Sequence, residues 1–439
     1  MELQPAECGS CHACSALPLA SPQPRLPGLR APSLERLPNG CPTVSLELSE
    51  SPLVCVDFWC RAGSLFETEH ESGIAHFLEH MVFKGSRNLG AGEFDRRIEA
   101  LGGSSNAATG FDDVHYHVLI EPAGAAEAVA LLLELVLEPR LDPADFEMER
   151  QVVLEELAQS EDQPEELALQ QLLSDGCGDH PYGQPILGRR DRLLAHTPAT
   201  MAAFQHRLYR ADRCVLALSG ALAGGGAIEE AIAASPLATL RPAERTAPLP
   251  PLRVHPGQRR IALPRLESAR LLMLWELPPA SDLHGVMGAD LLTSLLAEGR
   301  RSRLVHRLRE QLRLVESIDL DLHVMECGSL ALLEAIGAAE DLPQIRLEIE
   351  AVLLGLGDGG LEPEEWLRTN RLVANGYRFG LESAGGVAGV LAGNVLWNHG
   401  RSLDAPLAAL EQWDAPALLR ESVPLLAPDR AMVLEAVPA

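Results

Sequence analysis

Alternating apolar and polar residues mark the first regular elements of the chain. Thr43-Val44-Ser45-Leu46-Glu47-Leu48 and Leu53-Val54-Cys55-Val56-Asp57-Phe58-Trp59 read as strands, because side chains two apart share one face of a sheet. The period then lengthens. From Ser72-Gly73 to just before Gly85 the apolar positions fall at helical spacing, and a second helix is expected over about 91–101, ended by Gly102-Gly103. Residues 106–108 and 114–120 look extended, and helices are expected over about 123–137 and 143–161. His115 and His117 alternate along one of these strands and read as cross-strand surface residues.

Two segments carry no such period. Residues 1–35 are rich in Pro, Ser and Cys and read as a flexible N-terminal tail. Between about Ala221 and Gly257 the chain opens with Gly224-Gly225-Gly226 and then carries Pro236, Pro242, Pro248, Pro250, Pro251 and Pro256, so 236–258 is the linker candidate. It leaves domains at 36–235 and 259–439. The two halves look related. An apolar helix followed by Leu141-Asp142-Pro143 in the first is echoed by Ile345 to Leu354 and Leu361-Glu362-Pro363 in the second, a register that sets Glu156 opposite Gly376.

Composition narrows the function. Hydrophobic content of 46% supports sizeable cores, and aromatic content of only 4% means that Leu, Ala and Val must fill them. A formal charge of −26 argues against nucleic acid and anionic membrane surfaces as partners, because phosphate binding needs a basic face. No run is apolar for long enough to span a bilayer as a helix. Met1-Glu2-Leu3-Gln4-Pro5 does not begin a secretory signal, so the expected location is cytoplasmic. Nine cysteines form no disulfide-like framework. Cys8, Cys11 and Cys14 make a Cys-x-x-Cys-x-x-Cys run without a fourth nearby ligand, and the others read as small core hydrophobes.

The chemistry is concentrated in His76-Phe77-Leu78-Glu79-His80. On a helix, residues four apart stack on one face, so His76 and His80 can share one metal ion, with Glu79 bordering the same face. The order His-x-x-Glu-His inverts the commoner zinc-protease motif. A catalytic zinc takes three protein ligands and a water. The stretch Glu147 to Leu157 offers the third, with Glu149 and Glu156 two helical turns apart on one face.

The chain resembles the pitrilysin-type metallopeptidases, the family of insulin-degrading enzyme and the mitochondrial processing peptidase. Matching segments run in order from Gly73 to Gly85, Gly103 to Thr109, Glu149-Arg150 through Glu155-Glu156, His180-Pro181-Tyr182-Gly183 with Ile186-Leu187-Gly188, and Tyr209 with Asp212. The resemblance covers about residue 36 to the C-terminus, tightly in the first half and loosely in the second. It implies an α+β fold of two related domains, each a mainly antiparallel sheet with helices on one face. It implies zinc on His76, His80 and Glu156, with Glu79 as the general base that activates the water. Glu155 adjoins Glu156, and spacing from Glu149 favours Glu156. Glu149 would orient a ligand imidazole. Asn106 and Ala107 would lie on an exposed edge strand that pairs with substrate backbone.

One position departs from the pattern. Members that act alone carry, in the second half, an Arg and a Tyr seven residues later that stabilise the tetrahedral intermediate. Arg309 is present here, but the Tyr position is Glu316. An ionised carboxylate donates no hydrogen bond and repels an oxyanion. Two-chain members divide the labour, one subunit holding zinc and the other the Arg-Tyr pair. The expectation is therefore a zinc endopeptidase acting on unfolded peptides or presequences. It would be the zinc-bearing subunit of a two-chain clamshell, beside a homologous partner that carries the Arg-Tyr pair, or else a homodimer. The alternative is a non-catalytic peptide-binding or scaffold subunit of the same fold.

Overall fold

The computed structural model describes residues 31–222, 226–242, 248–400 and 402–439. The Cys8, Cys11 and Cys14 run, most of the N-terminal tail and Gly224-Gly225 lie outside the described residues. The fold is α+β, as expected. The first sheet contains β1 (Ser33–Arg36), β2 (Pro42–Glu47), β3 (Val54–Cys60), β4 (Ser104–Thr109), β5 (Val114–Ile120) and β6 (Cys214–Gly220), in the order β1-β2-β6-β3-β5-β4. The second contains β7 (Gly257–Leu263), β8 (Ala269–Leu277), β9 (Val315–His323), β10 (Ser329–Gly337) and β11 (Met432–Pro438), in the order β7-β11-β8-β10-β9.

These orders reveal the duplication more clearly than the residues do. Setting β1 aside, the first strand of each half pairs parallel with the last, β2 with β6 and β7 with β11. The remaining pairs are antiparallel and follow the same route, β6-β3-β5-β4 matching β11-β8-β10-β9. Among the described residues only β1 has no counterpart. Ser33–Arg36 ends the segment read as a tail, yet it pairs with β2 as an edge strand with all four residues exposed. Its partner's open edge orders it, which local composition does not reveal.

In the first half, α1 (Ile74–Val82), α2 (Glu93–Ala100), α3 (Ala125–Leu137) and α4 (Pro143–Glu161) enclose a core with one face of the first sheet. Val54, Val56, Phe58 and Cys60 face this core, while Cys55, Asp57 and Trp59 alternate onto the other face. In the second half, α6 (Leu283–Ala297), α7 (Leu342–Gly359) and α8 (Pro363–Gly380) take the corresponding places. Both α4 and α8 start at a proline in the first turn, which fixes phi for a helix start and needs no N–H partner there.

A further helix on the opposite face of each sheet comes from the other half. Helix α5 (Pro164–Cys177) lays Ala168, Leu172 and Cys177 against Leu272, Leu274, Met432 and Leu434 of the second sheet. In return α9 (Ala384–Leu396) lays Val387, Ala388, Leu391 and Ala392 against Val44, Leu46, Val215 and Ala217 of the first. Polar contacts reinforce the exchange. Asp112 accepts from the Tyr182 hydroxyl at 2.5 Å and from the Glu326 amide at 2.8 Å, and that hydroxyl accepts from the Cys327 amide at 3.1 Å. Among the described residues the cysteines are free thiols, five of them buried as small apolar groups.

Each half therefore depends on the other to cover a sheet face. Leu391, 3% exposed at the centre of this contact, should cost about 2–4 kcal/mol when changed to Ala, the usual price of an apolar cavity. Urea unfolding should show a lower midpoint for both halves together. A loss below about 1 kcal/mol would mean that the exchanged helix is loosely seated.

Candidate metal centre

Helix α1 begins at Gly73, whose φ of 82° lies in the left-handed region. A Cβ at Gly73 would sit 2.7 Å from the Leu187 carbonyl oxygen, and one at Gly188 would sit 2.4 Å from the Gly73 Cα. The Ile186-Leu187-Gly188 segment thus docks backbone to backbone on the start of α1. The Glu67 carboxylate accepts from the Gly73 and Ala75 amides at 2.9 and 2.8 Å, which satisfies donors at the helix start. On the core side Ile74, Phe77, Leu78 and Met81 are buried, and the Phe77 ring lies 4.6 Å from Phe146 of α4. Helix α4 is fixed at its own start by Asp142, which accepts from the Ala144 amide at 2.9 Å. Further along, Arg150 donates to the Leu194 and His196 carbonyls at 3.0 and 2.7 Å.

This packing turns one face of α4 toward the two histidines. His76 Nε2 lies 3.6 Å and His80 Nε2 3.3 Å from the Glu156 carboxylate oxygens. Among the described residues this trio is one of two groups whose donor atoms lie within 4.8 Å of one another; the other is Asp57, His115 and His117. Glu155 is exposed and outside the trio, since one residue on a helix turns the side chain by about 100°.

Two more side chains hold the trio in place. Glu149, 5% exposed, sets Oε1 3.0 Å from His80 Nδ1, and its other oxygen accepts from the Lys84 ammonium at 2.6 Å. Burial alone would raise the Glu149 carboxyl, but the His80 and Lys84 hydrogen bonds outweigh it and hold it below the usual range. Burial likewise opposes charge on His80, yet the hydrogen bond to Glu149 and the nearby Glu156 carboxylate raise its pKa. For His76, burial and then the neighbouring His80 push the pKa down to about 4, so this imidazole is neutral near pH 7. Burial raises Glu79, against a hydrogen bond that its carboxylate accepts from the Thr109 hydroxyl of β4.

The donor set suits zinc. Two imidazole nitrogens and a carboxylate converge, one imidazole is neutral, and the other is oriented through its far nitrogen by a carboxylate. Lys84 and Thr109 were not singled out from the sequence. The signals were there: Lys84 lies one turn beyond His80, and Thr109 ends the quoted Gly103 to Thr109 stretch.

The other expected site residues sit apart from the trio. Asn106 and Ala107 lie on β4, the edge strand of the first sheet, where the exposed Asn106 accepts from the Ala107 amide at 2.9 Å. Arg309 lies in a π-helical stretch, Val305–Gln311, with its guanidinium on Glu310 at 3.0 Å. Glu316 is exposed on β9, where it accepts from the Ser268 hydroxyl at 3.3 Å. No hydrogen bond or ion pair joins Arg309 or Glu316 to the trio among the described residues.

Comparison with known proteins follows the same division. Residues 43–190 match the insulinase pattern of peptidase family M16, and residues 196–372 match the peptidase M16 inactive domain. An uncharacterized zinc protease of Rickettsia felis is 27% identical over 286 residues, which is 65% of this chain and 68% of that protein. One from Mycobacterium leprae is 35% identical over 184 residues, 42% of this chain and 41% of its own length. A probable mitochondrial-processing peptidase subunit beta of Arabidopsis thaliana is 30% identical over 220 residues, 49% of this chain and 41% of its own. The matched region thus spans about two fifths of the mycobacterial and plant relatives. Among solved structures, a protease from Helicobacter pylori superposes with a TM-score of 0.84 at 24% identity, over 93% of this chain and 99% of that one. A peptidase M16 inactive domain from Pseudomonas fluorescens gives 0.84 at 20% identity, over 93% and 98%. At these identities the structural likeness speaks for the fold.

The role of Glu149 is testable without any assay of turnover. Glu149→Gln keeps the shape but removes the charge that orients His80, and should weaken zinc binding about 10–100-fold. Competition with a chromophoric chelator measures it. Unchanged affinity would show that Glu149 does not support the metal.

Proposed function

The chain belongs to peptidase family M16, whose cofactor is zinc, and from that premise we propose that it is a zinc endopeptidase subunit that cuts unfolded peptides or presequences. The observation that carries this reading is the convergence of His76, His80 and Glu156 beside Glu79. These three would hold the metal. Zinc, when bound, polarises the scissile carbonyl and makes water a stronger nucleophile at neutral pH.

The rest falls to the chain's own side chains. Glu79 takes the proton from the attacking water and returns it to the leaving amine. Its burial suits this task, because a carboxyl whose pKa is raised is a stronger base once ionised. Thr109 donates to one Glu79 oxygen and so steadies the carboxylate. Glu149 acts as a positioning residue, holding the His80 ring with Lys84 as its counter-charge. β4 offers the unpaired edge of the first sheet, on which an extended peptide can add as a further strand at Asn106 and Ala107.

The second half would wall the chamber rather than supply the chemistry. Glu316 stands where a hydrogen-bond donor is expected, and Arg309 is spent on Glu310. We therefore read the chain as the zinc-bearing partner in a pair of related subunits, the other bringing the Arg-Tyr pair. The non-catalytic scaffold reading draws on the inactive-domain match, but that match covers 196–372 and none of the metal trio. A scaffold gains nothing from a buried carboxylate such as Glu149 turned onto a histidine.

Glu79→Gln should lower hydrolysis of an unfolded peptide by about 10²–10⁴-fold while the bound zinc is retained. Unchanged turnover would remove Glu79 as the base. The division of labour has a separate test. The purified chain alone should cleave slowly, and mixing it with a relative that lacks His-x-x-Glu-His but keeps the Arg-Tyr pair should restore turnover. Full activity from the chain by itself, as a monomer or homodimer, would contradict it.

A further inference from the structure

The second donor group among the described residues lies on the sheet. β3 and β5 are paired so that Asp57 stands opposite His117 and Trp59 opposite His115. Directly opposed residues share a face, so Asp57, His115 and His117 project together from the face that α9 covers only in part. One donor atom from each lies within 4.8 Å of the others. His115 Nδ1 is 3.2 Å from an Asp57 oxygen, and the two imidazole rings lie nearly parallel, tilted 15° with centroids 5.6 Å apart.

This arrangement is more than a surface ion pair. Asp57 is 3% exposed, and an ionised carboxylate taken that far from water requires compensation. One imidazole would supply it, so His115 accounts for the charge and leaves His117 unexplained. The group is also packed against aromatic rings. Trp59 stacks on His115 at 4.5 Å and meets Trp397, at the end of α9, edge-on at 6.5 Å. Two imidazoles and one carboxylate on neighbouring strands form the ligand set of a zinc-class site with one open position.

We propose that Asp57, His115 and His117 form a second divalent transition-metal site, separate from His76, His80 and Glu156. The inference stands on the sheet residues alone and does not require the chain to hydrolyse peptides.

The test is metal stoichiometry. Full chain carrying Cys8→Ser, Cys11→Ser and Cys14→Ser, so that these thiols take no metal, is stripped with a chelator and titrated with Co(II), with bound metal counted after desalting. The expected result is two equivalents, one of them lost in His117→Ala and the other lost in His76→Ala. Their combination should bind none. His117 is half-buried at the strand surface and is chosen over Asp57 to preserve folding. Circular dichroism checks this, and His117→Gln is the second variant. A single equivalent in the parent would overturn the proposal. So would two equivalents surviving in folded His117→Ala or His117→Gln, or the loss of both in either.

Discussion

The contact on which the site depends is the packing of α1 against α4. It brings the two turns of helix that carry His76 and His80 against the two turns that carry Glu149 and Glu156. The Phe77–Phe146 ring contact and the buried apolar residues set the helix separation. The polar atoms then meet at hydrogen-bond range. Glu149 is the tightest point, because its two oxygens are divided between His80 and Lys84, both from the His-x-x-Glu-His helix or its end. A shift of about one ångström between the helices would break that division. The backbone contact of Gly73 with Gly188 pins the other end of α1 and limits such a shift.

The two halves share a strand route, yet among the described residues only the first carries this donor set. Helices α4 and α8 begin on the same Asp/Glu-Pro step. At the position of Glu156 the second half has Gly376, and its counterpart of α1 carries no His-x-x-Glu-His. Helix α6 instead buries its own Val286, Met287, Leu291, Leu292, Leu295 and Leu296. In the second half this helix serves packing. The exchange of α5 and α9 then makes the copies inseparable, since each covers a sheet face of the other.

Much of the site was readable in the chain because its information is local. Two histidines four apart on an apolar helix, and two glutamates seven apart on another, state their faces through helical period alone. The spacing from Glu149 already favoured Glu156 over Glu155, and the packing agrees, since it leaves Glu155 in solvent. The helix exchange was not readable. Helices α5 and α9 are apolar on one side like any core helix, and nothing in their residues says which sheet they cover. Strand β1 was missed for a related reason: its order comes from the free edge of β2, not from its own composition. The grouping of Asp57 with His115 and His117 depends on the register between β3 and β5, which a single sequence does not state.

A metal held between α1 and α4 is the centre of the proposed site, and diffraction at the zinc absorption edge tests for it most directly. Crystals of the zinc-loaded chain should give a strong anomalous peak with His76, His80 and Glu156 as its protein ligands, at about 2.0–2.2 Å. Zinc-loaded crystals with no peak between these helices, or with zinc on cysteine thiolates in its place, would contradict it.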